Sequence, residues 1–373
     1  MARSGVRVLA AMGVLALLAA GCAPKPRISP AVLACTAAAP TARVLAQRVS
    51  ACSGLIATAK GDDLRMALRA RGTAYRQQAN YTAALRDFNQ ALALKGDDAS
   101  AFDGRGLVFK DQGDLARARA DIEQAIRLDP NAPAGYNNRS IVERRQGDLA
   151  SALRDANRAI ELSPGNANPW AERGLVYLAK RQFELAVADF ADAVKIDPTL
   201  AFAWDGEGDA ERGKGDVADA LRDYNQASTA YFNTEYYRRA IGESDKAVAL
   251  KPDDAESLNN RCWTRGVADI ELDTALADCQ RSLQVRPGDA DTLDSLAFVH
   301  FRRGDFQVAI DGYTAALARN PKLAASMFMR GVSKLRAGDA DGGQADIDAA
   351  EQLDSAVAGE FASYGVTADT GGK

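Results

Sequence analysis

Cysteine is the most reactive side chain here, and its five copies are unevenly placed. Cys22 closes an apolar N-terminal run. The other four form two pairs, Cys35/Cys52 and Cys262/Cys279, each 17 residues apart. Neither pair is a C-x-x-C, the spacing of redox-active thiols. Other chemistry is sparse. The single histidine, His300, cannot build a His-rich metal site, and no Ser-His-Asp set or H-E-x-x-H occurs. "DGEGDAERGKGD" (205–216) is glycine-rich but lacks the Gly-Lys-Ser/Thr of a phosphate loop. "GDADGGQADID" (338–348) is acidic but lacks the spacing and final Glu of a calcium loop. Acids are abundant and none stands out as a catalytic pair. The sequence therefore predicts no catalytic residue, no metal and no cofactor.

The first 21 residues explain the setting of Cys22. Arg3 and Arg7 precede an apolar stretch from Val8 to Leu18, and Ala19-Ala20-Gly21 are small. That is the layout of a secretory signal, and the apolar run is too short to span a bilayer. Ala19-Ala20-Gly21-Cys22 resembles the lipobox of bacterial lipoproteins. The resemblance implies cleavage before Cys22, lipid on its sulfur, and an acylated new N-terminus that anchors stably. Ala23, where an Asp would favour the inner membrane, implies the outer membrane facing the periplasm. Lipidation of Cys22 leaves four cysteines, an even set that in an exported chain reads as disulfides, with free buried thiols as the alternative. Loss of residues 1–21 removes two arginines and no acid, taking the net charge from −4 to −6. A mildly acidic chain without a Lys/Arg block is a poor nucleic-acid binder.

The elements that must carry these residues repeat. "RARGTAYRQQANYTAALRDFNQAL" (69–92) is echoed at 103–130 and 171–198. Gly72, Gly106, Ser140, Gly174 and Gly208 fall 34 apart, as do Ala84, Ala118, Ala152, Ala186 and Ala220. Pro130, Pro164 and Pro198 close three units. This period and pattern resemble the tetratricopeptide repeat, or TPR. The resemblance implies an all-α solenoid, a right-handed superhelix of stacked helical hairpins, each with helices A and B. Eight units are expected: 65–98, 99–132, 133–166, 167–200, 201–234, 255–289, 290–323 and 324–357. Gly-Asp pairs at 113–114, 147–148, 215–216, 304–305 and 338–339 would end helix A and cap helix B. Twenty residues, 235–254, interrupt the count. Ala240, Ala247 and Pro252 have the spacing of a B helix without an A helix, which predicts an unpaired inserted helix and a break into five plus three repeats. The expected organisation is a signal (1–21), an anchor and Pro-rich tether (22–40), a capping helix (41–64), repeats 1–5 (65–234), the insert (235–254), repeats 6–8 (255–357), and a cap with a flexible end (358–373).

Two features depart from the TPR pattern. Position 7, usually apolar, is Arg71, Arg105, Arg139, Arg173, Arg261 and Arg330 in six units, and each has Asp at position 23: Asp87, Asp121, Asp155, Asp189, Asp278 and Asp346. These positions lie opposite in an antiparallel hairpin, so a structural Arg–Asp ladder is expected. Cys262 and Cys279 lie across the hairpin in the same way, so a bridge there would join helix A to helix B, and Cys35 and Cys52 could tie residues 31–40 to the capping helix.

What remains for function is a surface. In TPRs the A helices line a concave groove. Here it would comprise Asn137, Asn138, Arg144 and Arg145, then Asn168 and Glu172, then Asp205, Asp209 and Arg212, and a greasier end with Asn259, Asn260, Trp263, Phe298, Phe301 and Phe328. "YNNRS" (136–140) resembles part of the carboxylate clamp that grips chaperone C-termini. Asp103, Leu107, Asn168 and Glu172 stand where the rest of that clamp needs Lys, Asn, Lys and Arg. The expected function is a non-enzymatic scaffold that binds protein or peptide partners of the cell envelope, such as secretion, pilus or cell-wall machinery, with the membrane reached through the lipid anchor. The alternatives are an enzyme acting on envelope polymers and a self-associating structural protein.

Overall fold

The computed structural model describes residues 30–36 and 42–368, and Cys22 and the signal lie outside them. Twenty helices and no strand occur among the described residues. A short pair opens the chain, α1 (Pro30–Thr36) and α2 (Ala42–Ile56). Then come α3 (Gly61–Gln77), α4 (Tyr81–Leu94), α5 (Ala99–Asp111), α6 (Leu115–Leu128), α7 (Pro133–Gln146), α8 (Leu149–Leu162), α9 (Ala167–Ala179), α10 (Phe183–Ile196), α11 (Ala201–Lys214), α12 (Val217–Asn233) and α13 (Tyr237–Leu250). The chain continues through α14 (Ala255–Ala268), α15 (Leu272–Val285), α16 (Ala290–Arg303), α17 (Phe306–Arg319), α18 (Ala324–Ala337), α19 (Ala340–Leu353) and α20 (Val357–Ser363).

The hairpins form for local reasons. Position 15 of each unit reverses the chain with a positive φ, which glycine adopts without strain. Gly113, Gly147, Gly215, Gly304 and Gly338 do this at φ 83–94°, while Ala79, Arg181 and Asp269 accept the same strained conformation. The next N–H then bonds back five residues, as Asp148 N does to Glu143 O at 2.9 Å. Asp114, Asp148, Asp216 and Asp339 cap their B helices through the side chain. Asp305 does not, because its carboxylate faces His300 Nδ1 at 3.3 Å and Arg303 at 3.4 Å. Small residues let the helices close up. An added Cβ on Gly206 would lie 2.3 Å from the buried Phe190 ring, and one on Gly104 equally close to Phe88. Each such ring, fully buried, contributes roughly 1.5–3 kcal/mol.

The insert is not an unpaired helix. Helix α13 pairs with α12, which also pairs with α11. The α12–α13 turn carries the A–B signature: Glu235 has φ 62°, and Tyr236 N bonds to Tyr231 O at 2.9 Å. Ser228 Oγ donates to Ala240 O at 2.9 Å, as Ser140 Oγ does to Ala152 O across the A and B helices α7 and α8. A full 34-residue unit therefore runs from 221 to 254 and overlaps the fifth, 201–234. One 17-residue helix serves both: Ala220, Tyr224 and Ala227 belong to its B-helix pattern, and Ser228 and Tyr231 to its A-helix pattern. The expected break is a continuous but turned stack. Up to this point each A helix touches the next, α3 to α5, α7, α9 and α11. From here the touching row is α12, α14, α16 and α18. Helices crowd on the inside of a curved stack, so the concave side passes from one face to the other at α11 and α12.

The N-terminus is corrected in the same way. Helices α1 and α2 form a truncated hairpin against α3, and Cys35–Cys52 and Cys262–Cys279 are both disulfides, with S–S 2.13 and 1.96 Å. The expected tether to residue 40 therefore includes a helix, and residues 61–64 already belong to α3.

Candidate functional site

The ladder is built from helix A to helix B within each hairpin. Arg71 Nε and Nη2 both donate to Asp87 at 2.8 Å. The other five pairs are bidentate as well: Arg105–Asp121, Arg139–Asp155, Arg173–Asp189, Arg261–Asp278 and Arg330–Asp346, between 2.5 and 2.9 Å. The sequence does not announce a second use of these arginines. The spare Nη1 of Arg105, Arg173 and Arg261 reaches back to the preceding B helix, to Asn89, Asn157 and Asp245 at 2.7–2.8 Å. Asp245 lies on α13, which thus behaves as a B helix here too. The ladder stitches repeats together.

The first concave face is polar and largely cross-linked. Asn138 Nδ2 donates to Asp103 at 2.8 and 3.0 Å. Arg144 grips the buried Glu172 at 2.7 and 3.1 Å, and burial pushes the Glu172 carboxyl up against that pairing. Arg76 reaches Asp111 at 2.7 Å, and Arg145 donates to Lys110 O at 3.2 Å. Burial lowers the Lys110 pKa. Asn137 keeps a buried amide oxygen without a hydrogen-bond partner, and Asn259, at the equivalent position of the other face, does the same. Asn168 is exposed and turns back to Asn166. Asp209 accepts from Tyr224 Oη at 2.8 Å and pairs with Arg212 at 3.1 Å. Asp205 meets Lys246.

The second face differs from expectation. Phe298 and Phe328 are 0% and 1% exposed, so they are core and not free surface. The rings of Trp263 and Phe298 lie 5.0 Å apart, Phe301 stacks on Phe298 at 6.3 Å, and Asn260 Nδ2 approaches Asn225 at 3.5 Å. What covers them is the chain itself: Phe361 and Tyr364, from α20 and just beyond it, lie across this face. Sequence reasoning treated residues 358–373 as a cap and missed where they go. Their aromatic spacing was the available signal.

One trio of carboxylates among the described residues, Glu211, Asp216 and Asp219, brings oxygens within 4.8 Å of one another. Glu211 is paired with Lys214 at 2.7 Å and Asp216 caps α12, so both are engaged in structure. No described helix is long and apolar enough to cross a membrane.

Stacked A/B hairpins with a 34-residue period define a helical-repeat protein. The tetratricopeptide repeat family matches residues 69–133, 104–167, 138–201 and 296–359, more than half of the chain, and the chain belongs to that family. TPR proteins are generally non-catalytic scaffolds that bind protein or peptide partners. The chain matches no curated protein. The human IFIT1 dimer solved with PPP-AAAA has a TM-score of 0.51 at 16% identity, covering 74% of this chain and 69% of that one. YrrB, described as a TPR protein with an unusual peptide-binding site, has 0.36 at 20%, covering 56% and 97%. Pseudomonas aeruginosa PilF has 0.41 at 18%, covering 62% and 96%. At these identities the likeness concerns the fold.

Proposed function

We propose that this is a non-enzymatic scaffold of the bacterial envelope, a lipoprotein anchored through Cys22 in the outer membrane and facing the periplasm. It binds envelope proteins or their peptide segments through its concave faces. The observation that carries the binding role is the first face: bonds between repeats hold Arg144 against Glu172 and Arg145 against the Lys110 carbonyl, on A helices that also carry Asn137. Side chains held this way lose little freedom on binding, which favours affinity. Asn137 adds a buried amide oxygen able to accept a partner's N–H. Two disulfides suit an oxidising compartment and support export. Seven residues separate Cys22 from α1, a reach of at most roughly 30 Å, so an anchored solenoid stays near the membrane.

Two experiments test this reading. Crosslinking in cells, followed by mass spectrometry, should recover one or two envelope proteins that are lost with Arg145→Ala and Asn137→Ala. Recovery unchanged by both substitutions refutes the first face as the site. Labelled palmitate should enter the protein and be lost with Cys22→Ser. Equal labelling of both forms refutes the anchor.

A further inference from the structure

The second concave face is covered by the chain's own C-terminal segment. After the last hairpin, α18 and α19, the chain turns and forms the seven-residue α20. Phe361 stacks on Phe328 of α18 at 5.5 Å and meets Phe298 of α16 at 6.0 Å. Three residues on, Tyr364 sets its ring edge-on to Trp263 of α14 at 6.1 Å and reaches Phe232 of α12 at 6.2 Å. Gly365 has φ 77° and closes the turn, with Val366 N bonded to Phe361 O at 2.9 Å. Arg302 donates to Tyr364 O. Two rings thus cross all four A helices of the lobe. A plain end cap would need to cover only the last hairpin.

The segment is held by its groove: Val357, Phe361 and Val366 are buried there. Two helical turns do not hold themselves in water, so its helix exists because the groove is there. It follows the last hairpin, and its release unthreads none. Beyond Tyr364 the groove continues as a cavity of about 260 Å³, where Thr229, Asn233, Asn260 and Thr264 surround the Phe232 and Trp263 rings. The apolar end is filled and the polar end is open.

We propose that this groove is a binding site for a partner segment that presents two aromatic rings, three residues apart, on a short helix. The chain's own Phe361 and Tyr364 hold the site until such a segment displaces them. This rests on the scaffold reading and names the ligand chemistry of its second face.

The test needs no knowledge of the client. The probe is a synthetic peptide of residues 356–368, added to the folded, disulfide-intact protein lacking the signal. Trp170→Phe and Trp204→Phe leave Trp263 as the reporter. A Phe361→Ala, Tyr364→Ala chain should bind the peptide with a shift in Trp263 emission. The chain with its own segment intact should bind at least tenfold more weakly, and a peptide carrying both alanines should bind neither. A folded double variant that ignores the peptide overturns the proposal. Hydrogen exchange on the unaltered protein keeps the test decisive if that variant does not fold. The amides of Tyr364, Gly365 and Val366 should exchange at least a hundredfold faster than those of α16 and α18. Equal protection would make the segment a permanent part of the core and overturn displacement. Neither result depends on the anchor or on the first face, so the scaffold reading is judged separately.

Discussion

Six rungs of the ladder put an arginine opposite an aspartate, but the fifth hairpin puts Glu207 opposite Asp223. Both are buried, at 6% and 0% exposure, and Glu207 Oε2 and Asp223 Oδ2 have no hydrogen-bond partner. Burial, then the Asp223 charge, raises Glu207 from 4.5 to about 7. Burial raises Asp223 to about 6 against the pull of Arg222 at 2.9 Å. Both folded-state values lie above the unfolded ones, so the folded chain binds more protons between about pH 4 and 7. The resulting stability is fully present below the unfolded values and is lost as pH rises through about 7. At 1.36 kcal/mol per unit, the Glu207 shift corresponds to about 3 kcal/mol by pH 8. Glu207→Gln keeps the shape and removes the charge. It should stabilise the protein by about 2–3 kcal/mol at pH 8 and change little at pH 5. Repeat stacks open piecewise, so the assay is hydrogen exchange of α11 and α12 at both pH values, beside thermal melts. An equal effect at both pH values, or a less stable variant at pH 8, would refute the reasoning.

Three further outcomes follow from the packing. Arg173→Met strands the buried Asp189 and should cost about 3 kcal/mol or more, whereas Arg173→Met with Asp189→Leu should recover most of it; a double-mutant cycle by denaturation measures the difference. Cys262→Ala with Cys279→Ala should cost roughly 3 kcal/mol, seen as faster exchange confined to α14, α15 and their neighbours. Gly206→Ala forces a methyl against the Phe190 ring and should lower stability by about 1–3 kcal/mol in thermal melts, while the Gly242→Ala control, half-buried but with open space at its Cβ, should not.

Where one residue type answers another across a hairpin, the sequence was readable. Arginine at position 7 and aspartate at position 23 recur because the antiparallel pair puts them face to face, and the cysteines of α14 and α15 obey the same geometry. Periodicity failed where a helix is used twice. The α12 pattern had been assigned to the fifth hairpin, so Ser228 and Tyr231 were not seen as the opening of another. Phe298 and Phe328 read as exposed groove because their cover lies more than thirty residues on, in α20, beyond the reach of any repeat pattern. The two N-terminal cysteines marked a staple, but the first helix of the hairpin around them has only seven residues, too few to show the repeat pattern.

The sharing of α12 makes parity a property of this chain. Consecutive helices run antiparallel, so adding or removing a whole repeat changes the helix count by two and leaves every later helix pointing as before. Using α12 twice changes the count by one. Every A helix after it therefore runs opposite to those before it, and its inner row faces the other way. Repeat duplication can lengthen either arm without altering this relation. Only the gain or loss of a single helix, about the twenty residues that hold α13, can reverse it, and such a loss would merge two opposed grooves into one.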